Sequence, residues 1–343
     1  MIQSKNSICR YDAINGLRAF SAIGILLMHV NSNGQYNVDN FIFSKLIPSF
    51  TNLVFLFMII SGFVMCCGYY DKIINNKISF SDFYKKRFIK IWPFFALLCL
   101  IDLIVSPSVN SLYEIFANLT LCFGLLPNSN LSVIGVGWFL GLVFVFYMVF
   151  PFFCYLISNK KRAWFSFFAA LMFNLLCSDY FNIDRNNMMY SAVFFLAGGL
   201  IYIYRDKLQY IADKFRYLIL AACVVAVILY YIIGESVPFY IIISSVILIY
   251  AIGEKKRRLL DNKITKFLSN ISMEIYLCHM FIFRIIEKMG IIHLFKSETL
   301  SFIFTSVLTI IGAILFSYIA QKCITLLINK ISNFCESRKQ IKE

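Results

Sequence analysis

Arg18 and His29 are separated by ten residues in the apolar stretch Ile14 to Val30, INGLRAFSAIGILLMHV. At 100° per residue, a step of eleven positions returns to the same helical face within about 20° and carries it roughly 16 Å along the axis. The stretch is apolar and long enough to cross a bilayer. There an ionisable side chain is costly unless it faces a cavity or a partner, so such a pair is by default a functional site. The chemistry at hand is proton transfer and anion binding, because imidazole titrates near neutral pH and guanidinium stays charged. A plain alternative is an arginine that reaches to the membrane surface and a histidine buried neutral with a satisfied hydrogen bond.

Other residues with chemistry are fewer. In SDFYKKRFIKIWPFF, Arg87 and Lys90 are three apart and project from one face of a helix. They suit phosphates, and equally a lipid headgroup or a stop signal at the cytoplasmic mouth. Ser61 beside Gly62 in FLFMIISGFVM permits close helix approach and a hydroxyl bond across it. His279 is a second histidine within an apolar run; Glu274, five positions before it, does not share its face, so the two are not read as a dyad. His293 falls in an outer loop and is expected to be solvated, and Asp102 is an acid in the outer half of a span. The eleven cysteines sit mostly in apolar runs, as Cys66, Cys67, Cys99, Cys154, Cys177 and Cys223 do, with no metal-type spacing to histidine. They read as small packing residues, and no metal is expected.

The elements that must position these residues are membrane helices. Of 343 residues 60% are hydrophobic and 15% charged, with a mean hydropathy of +0.76, well outside the range of soluble domains. Apolar runs recur at about 13–31, 50–70, 91–106, 137–157, 163–178, 189–204, 216–233, 237–253, 268–286 and 298–320. These predict an all-α, polytopic helix bundle of about ten transmembrane helices. Of the 32 Lys and Arg residues, 26 fall in the alternate connections that share a side with the termini. The opposite connections hold only Lys45, Arg185, Lys288 and Lys296. By the positive-inside rule both termini are cytoplasmic, and the net charge of +14 reflects topology rather than nucleic-acid binding. The piece SLYEIFANLTLCFGLL, between Pro107 and Pro127, is expected to be re-entrant or to lie on the outer surface, since a crossing there would put every later basic cluster outside. No internal repeat and no cleavable signal peptide is found. Residues 1–343 are expected to form one transmembrane domain without an appended soluble one; the sequence sets no oligomeric state.

Five stretches, in order, resemble the membrane-bound acyltransferase-3 family. The arginine, ten residues and histidine are Arg18 and His29. Phe55 to Phe63 is similar to the family's FFxxSGF pattern, and KKRFIKIWPFF to its basic pair before Ile-x-Pro, with Arg87, Lys90, Ile91 and Pro93 in place. GWFLGLVFVFYMVFP and SMEIYLCHMFIF match two further segments, with Trp138, Tyr147, Pro151, Tyr276 and His279. Three positions depart: Asn15 where many relatives have aspartate, Lys90 where the pair has a second arginine, and Val143 where glutamate is common.

The resemblance implies O-acyl transfer, usually of acetyl from cytoplasmic acetyl-CoA, to a hydroxyl of an extracytoplasmic glycan or lipid-linked sugar. O-antigen, capsule or exopolysaccharide units head the acceptors, in a bacterial inner or cytoplasmic membrane. On this reading His29 is the general base or a transient acyl carrier, and Arg18 serves catalysis and holds the donor. Arg87 and Lys90 anchor the CoA phosphates, and Ser61, Trp138, Tyr147 and His279 are pocket candidates. The competing class is a transporter or flippase of a glycan precursor, with Arg18 and His29 lining its path.

Overall fold

A computed structural model describes residues 11–125, 134–253 and 258–340, with the backbone alone for Cys122 and 331–340. Among the described residues there are helices and turns and no strand. The helices are α1 (Ala13–Gly34), α2 (Leu53–Ile74), α3 (Phe80–Val105), α4 (Val109–Leu119), α5 (Trp138–Ile157), α6 (Lys160–Cys177), α7 (Met188–Ile203), α8 (Arg205–Lys214), α9 (Arg216–Ile233), α10 (Val237–Ala251), α11 (Lys263–Asn270), α12 (Ser272–Lys288) and α13 (Glu298–Gln340). Short helical turns over 42–52 lead into α2.

Starts of these helices are written in local chemistry. Ser79, Ser108, Asn159, Asn187 and Asn262 each turn a side-chain oxygen onto a backbone N–H of the first turn of α3, α4, α6, α7 and α11. Six segments are long and apolar enough to cross a bilayer: α1, 42–74, α3, 135–157, α9 and 298–330. The other expected spans are helices in their expected places: α6, α7, α10 and α12. Of these, α7 is bent by 78° from α8, and α10 has 15 residues. The protein is thus an all-α, multi-pass membrane protein.

Three expected boundaries change. Pro93 does not stand near a helix start but in the fourteenth position of the 26-residue α3, so the basic segment Lys85–Lys90 and the span behind it are one helix. In lipid an interior proline is tolerated because neighbouring groups satisfy the carbonyl it leaves free. The ninth span is shorter than expected, because the chain breaks at Ile271 between α11 and α12. The tenth continues to Gln340. Between α3 and α5, α4 has 11 residues, about 16 Å and half a hydrocarbon core, so it does not cross. Trp92 Nε1 donates to the Leu119 carbonyl at 2.9 Å and ties α4 to α3. Of that connection 126–133 lies outside the described residues. So do Lys5, Arg10, Lys255, Lys256, Arg257 and Lys342 of the basic clusters, and the side chains of Arg338 and Lys339.

The core is aromatic and tightly closed. α2 and α7 pack along each other at backbone contact, where a Cβ on Gly62 would strike the Phe195 carbonyl and one on Gly198 the Ile59 carbonyl. This is the close approach expected from Ser61-Gly62. Phe146 of α5 stacks on Phe195 of α7 with centroids 4.2 Å apart. The outward sides of α6 and α9 leave Phe165, Leu176, Leu218 and Ile232 exposed, as a lipid-facing surface requires.

α1 packs against α2, α11, α12 and α13. Near its start Asn15 Oδ1 accepts from Ser269 Oγ at 3.1 Å, and further along His29 meets His279. Arg18, near the start of α1, also lies in the field of Glu274 near the start of α12, so α1 and α12 advance in the same direction.

Candidate active site

Arg18 sits where three clefts meet. One, of about 110 Å³, is lined by Arg18, Ser61, Arg87, Lys90, Tyr147 and Tyr276, among others. A second, of about 300 Å³, is lined by Asn15, Arg18, Lys90, Glu274 and Gln321. The third, of about 260 Å³, has Asp12, Asn15, Arg18 and Lys266. In this last one Lys266 is already neutralised, by Asp261 at 2.9 Å and Asp12 at 3.6 Å.

The cations around the first cleft are not neutralised in that way. Arg18 makes no hydrogen bond or ion pair among the described residues; Tyr147 and Glu274 reach it only through their fields. Arg87 is held rigidly. Its Nη2 donates to Tyr69 Oη at 2.6 Å, its Nη1 to Met65 Sδ at 3.6 Å, and its guanidinium lies over the Tyr69 and Tyr147 rings at 4.7 and 5.7 Å. Arg87 Nε is buried without a partner. Lys90 keeps solvent contact and senses Arg18, Arg87 and Glu274. Glu274 is buried, with Gln321 Nε2 donating to its Oε1 at 3.5 Å. Three cations thus line the first cleft, with Glu274 in the second beside it, and so the first cleft attracts anions.

His29 does not line this cleft. It stands about three turns along α1, where its ring is 5.1 Å from that of His279, centroid to centroid, at 40°. His279 has no exposed surface. Its Nδ1–H donates to the Tyr276 carbonyl at 2.7 Å, and its Nε2 has no partner. Tyr276 joins the two regions, lining the cleft while its ring lies 6.0 Å from that of His279. On the same side Arg185, just before α7, donates from Nη1 to Thr51 Oγ1 at 2.6 Å and lies 5.5 Å over the Trp138 ring. Its charge reaches both His29 and Tyr276.

Arg18, Ser61, Arg87, Lys90 and Tyr147 thus come together in one cleft, as one site would require. His29 and His279 form a second group, and Trp138 lies under Arg185 rather than in the cleft. Val143 lines the cleft too, and the acid that Arg18 senses is Glu274 of α12. Read from sequence, Glu274 is weighed only as a partner of His279, and Arg185 only as a topology charge, and neither is given a place in the site. The first was visible as an acid inside an apolar run, the second as one of only four basic residues in the sparsely charged connections. His293 is not merely solvated, since its Nδ1 meets Glu298 Oε2 at 3.0 Å.

No curated protein and no solved structure matches the chain. A family model described as an acyltransferase domain, that of acyltransferase-3, matches residues 11–318. That interval begins two residues before α1 and ends within α13, so every residue of the first cleft and the histidine pair falls inside it, while Gln321, Ile324, Thr325 and Ile328 of the second cleft lie beyond it. The match covers nearly the whole of the apolar bundle, and the chain belongs to the acyltransferase-3 family of membrane acyltransferases.

Proposed function

We propose that this acyltransferase moves an acetyl group from cytoplasmic acetyl-CoA to a hydroxyl of an extracytoplasmic glycan, an O-antigen, capsule or exopolysaccharide unit, in a bacterial cytoplasmic or inner membrane. The observation that carries this reading is a cationic cleft and a partner-poor imidazole on one helix, roughly 16 Å apart and linked by Tyr276. Arg87 and Lys90 hold the nucleotide phosphates. The pantetheine arm passes Arg18 and Tyr276, and the thioester meets the acceptor hydroxyl at His29. Arg185 and Trp138 flank the acceptor. As the hydroxyl oxygen bonds the acyl carbon, His29 takes its proton; the C–S bond breaks, and the imidazolium returns the proton to the departing thiolate. A two-step route through acyl-His29 uses the same groups.

Direct incorporation tests this. Membrane vesicles containing the protein, given acetyl-labelled acetyl-CoA and the cell's own glycan fraction, are expected to yield alkali-labile label on the glycan, and vesicles lacking the protein none. Glycan that crosses the membrane without acquiring label would overturn the assignment in favour of transport.

The reading requires ten crossings with cytoplasmic termini. It is supported by the common direction of α1 and α12, which demands an odd number of crossings between them, and by the lysine and arginine distribution. A green fluorescent protein fused after residue 343 is expected to fluoresce, and alkaline phosphatase at the same place to be inactive. The reverse pattern would exclude this topology.

A further inference from the structure

His279 is placed as no packing residue needs to be. A carbonyl oxygen can only accept, so the 2.7 Å contact with Tyr276 fixes the proton of neutral His279 on Nδ1 and leaves a lone pair on Nε2. That lone pair is fully buried and has no partner. Buried polar atoms are nearly always satisfied, and one left open needs a reason. The only imidazole ring beside it is that of His29, at 5.1 Å between centroids. Two imidazoles joined by an N–H···N bond of ordinary length have centroids about 5 Å apart, so the separation is already correct. The bond then asks that a nitrogen of the half-buried His29 ring be turned to Nε2.

We infer that His279 is a positioning residue for His29, accepting one N–H of His29 at Nε2 and so holding the other His29 nitrogen as a lone pair toward the acceptor hydroxyl. The inference rests on the reading of His29 as base. The logic is that of a base oriented by a third group, with a neutral imidazole where hydrolases place a carboxylate. When the acceptor O–H bond breaks and its proton joins the free nitrogen of His29, the opposite N–H of the imidazolium still donates to His279. His279 keeps its own proton on Nδ1 throughout, bonded to Tyr276, and never ionises. The C–O bond forms, the C–S bond breaks, and the proton on His29 leaves with the thiolate, so both histidines return to their starting forms.

The test uses the full chain in lipid nanodiscs, labelled with ring-15N histidine. In the unmodified protein, without donor or acceptor, His29 is expected to show one neutral tautomer and a 15N–15N coupling across the bond to His279. In His279→Phe the coupling disappears and the His29 signals move to those of an exchanging pair of tautomers. Glycan labelling at saturating acetyl-CoA falls on the order of 10- to 100-fold, with KM for acetyl-CoA changed less than about twofold. His279→Gln, whose amide oxygen can accept, recovers part of the rate. A missing coupling in the unmodified protein overturns the inference without any variant, and so does a folded His279→Phe protein with unchanged His29 signals and full rate. If His29→Ala keeps full transfer while the coupling is present, the catalytic reading fails and the pairing stands.

Discussion

Replacing His29 by alanine is expected to slow acetyl transfer by about 10²- to 10⁴-fold, the usual contribution of a positioned general base. A sugar hydroxyl is a weak nucleophile at neutral pH, and the described groups about the His29 ring include His279 and, through its charge, Arg185, which lies over Trp138. Arg185 is always charged and cannot act as a base. His279 is sealed from solvent and bonded at Nδ1. His29 alone combines partial exposure with an imidazole that no described side chain engages by a hydrogen bond. It does not line the Arg18 cleft, so acetyl-CoA affinity is expected to stay within about threefold of the parent, and the loss to appear in kcat. Turnover with saturating donor and donor binding, measured on the same vesicles, check both halves. A His29→Ala protein that inserts normally and transfers at the parent rate removes His29 from the mechanism.

Much of this site was legible in the first apolar run, because helical periodicity is a local property: eleven positions separate Arg18 and His29, and no tertiary information is needed to place them on one face. The cleft formed by Arg18, Ser61, Arg87, Lys90 and Tyr147 was legible only as a set of motifs, since α1, α2, α3 and α5 meet through packing that no short window encodes. His29 and His279 are 250 positions apart, and their contact depends on the common direction of α1 and α12 and on the break at Ile271. Glu274 and His279 do not share a face well, as the spacing indicated, yet each acts toward α1: one in the field of Arg18, the other at the His29 ring. The helical run through Pro93 was hidden for a different reason. Breaker rules learned in water overstate the cost of proline where lipid penalises any alternative to a helix.

The second large effect is expected for Arg87→Ala combined with Lys90→Ala. Hydrogen bonds to charged groups contribute about 1.5–3 kcal/mol each, so loss of a phosphate anchor made by two cations is expected to weaken acetyl-CoA binding by about 10²- to 10⁴-fold. Arg87 is also a structural residue, holding Tyr69 Oη at 2.6 Å and lying over two tyrosine rings, and its removal loosens α3 against α2 and α5. The donor itself separates these contributions. Acetyl-pantetheine has the thioester and the arm but lacks the nucleotide, so the double variant and the parent are expected to use it at rates within about threefold of each other. With acetyl-CoA the two diverge by the full binding loss. Arg18→Ala behaves differently, because a residue common to all three clefts lies on the path of the arm, and it is expected to impair both donors. Equal acetyl-CoA affinity in the parent and the double variant would remove Arg87 and Lys90 from donor binding. Equal damage with acetyl-pantetheine would instead mean that Arg87 acts through its tyrosine contacts, shaping the cleft rather than reading phosphate.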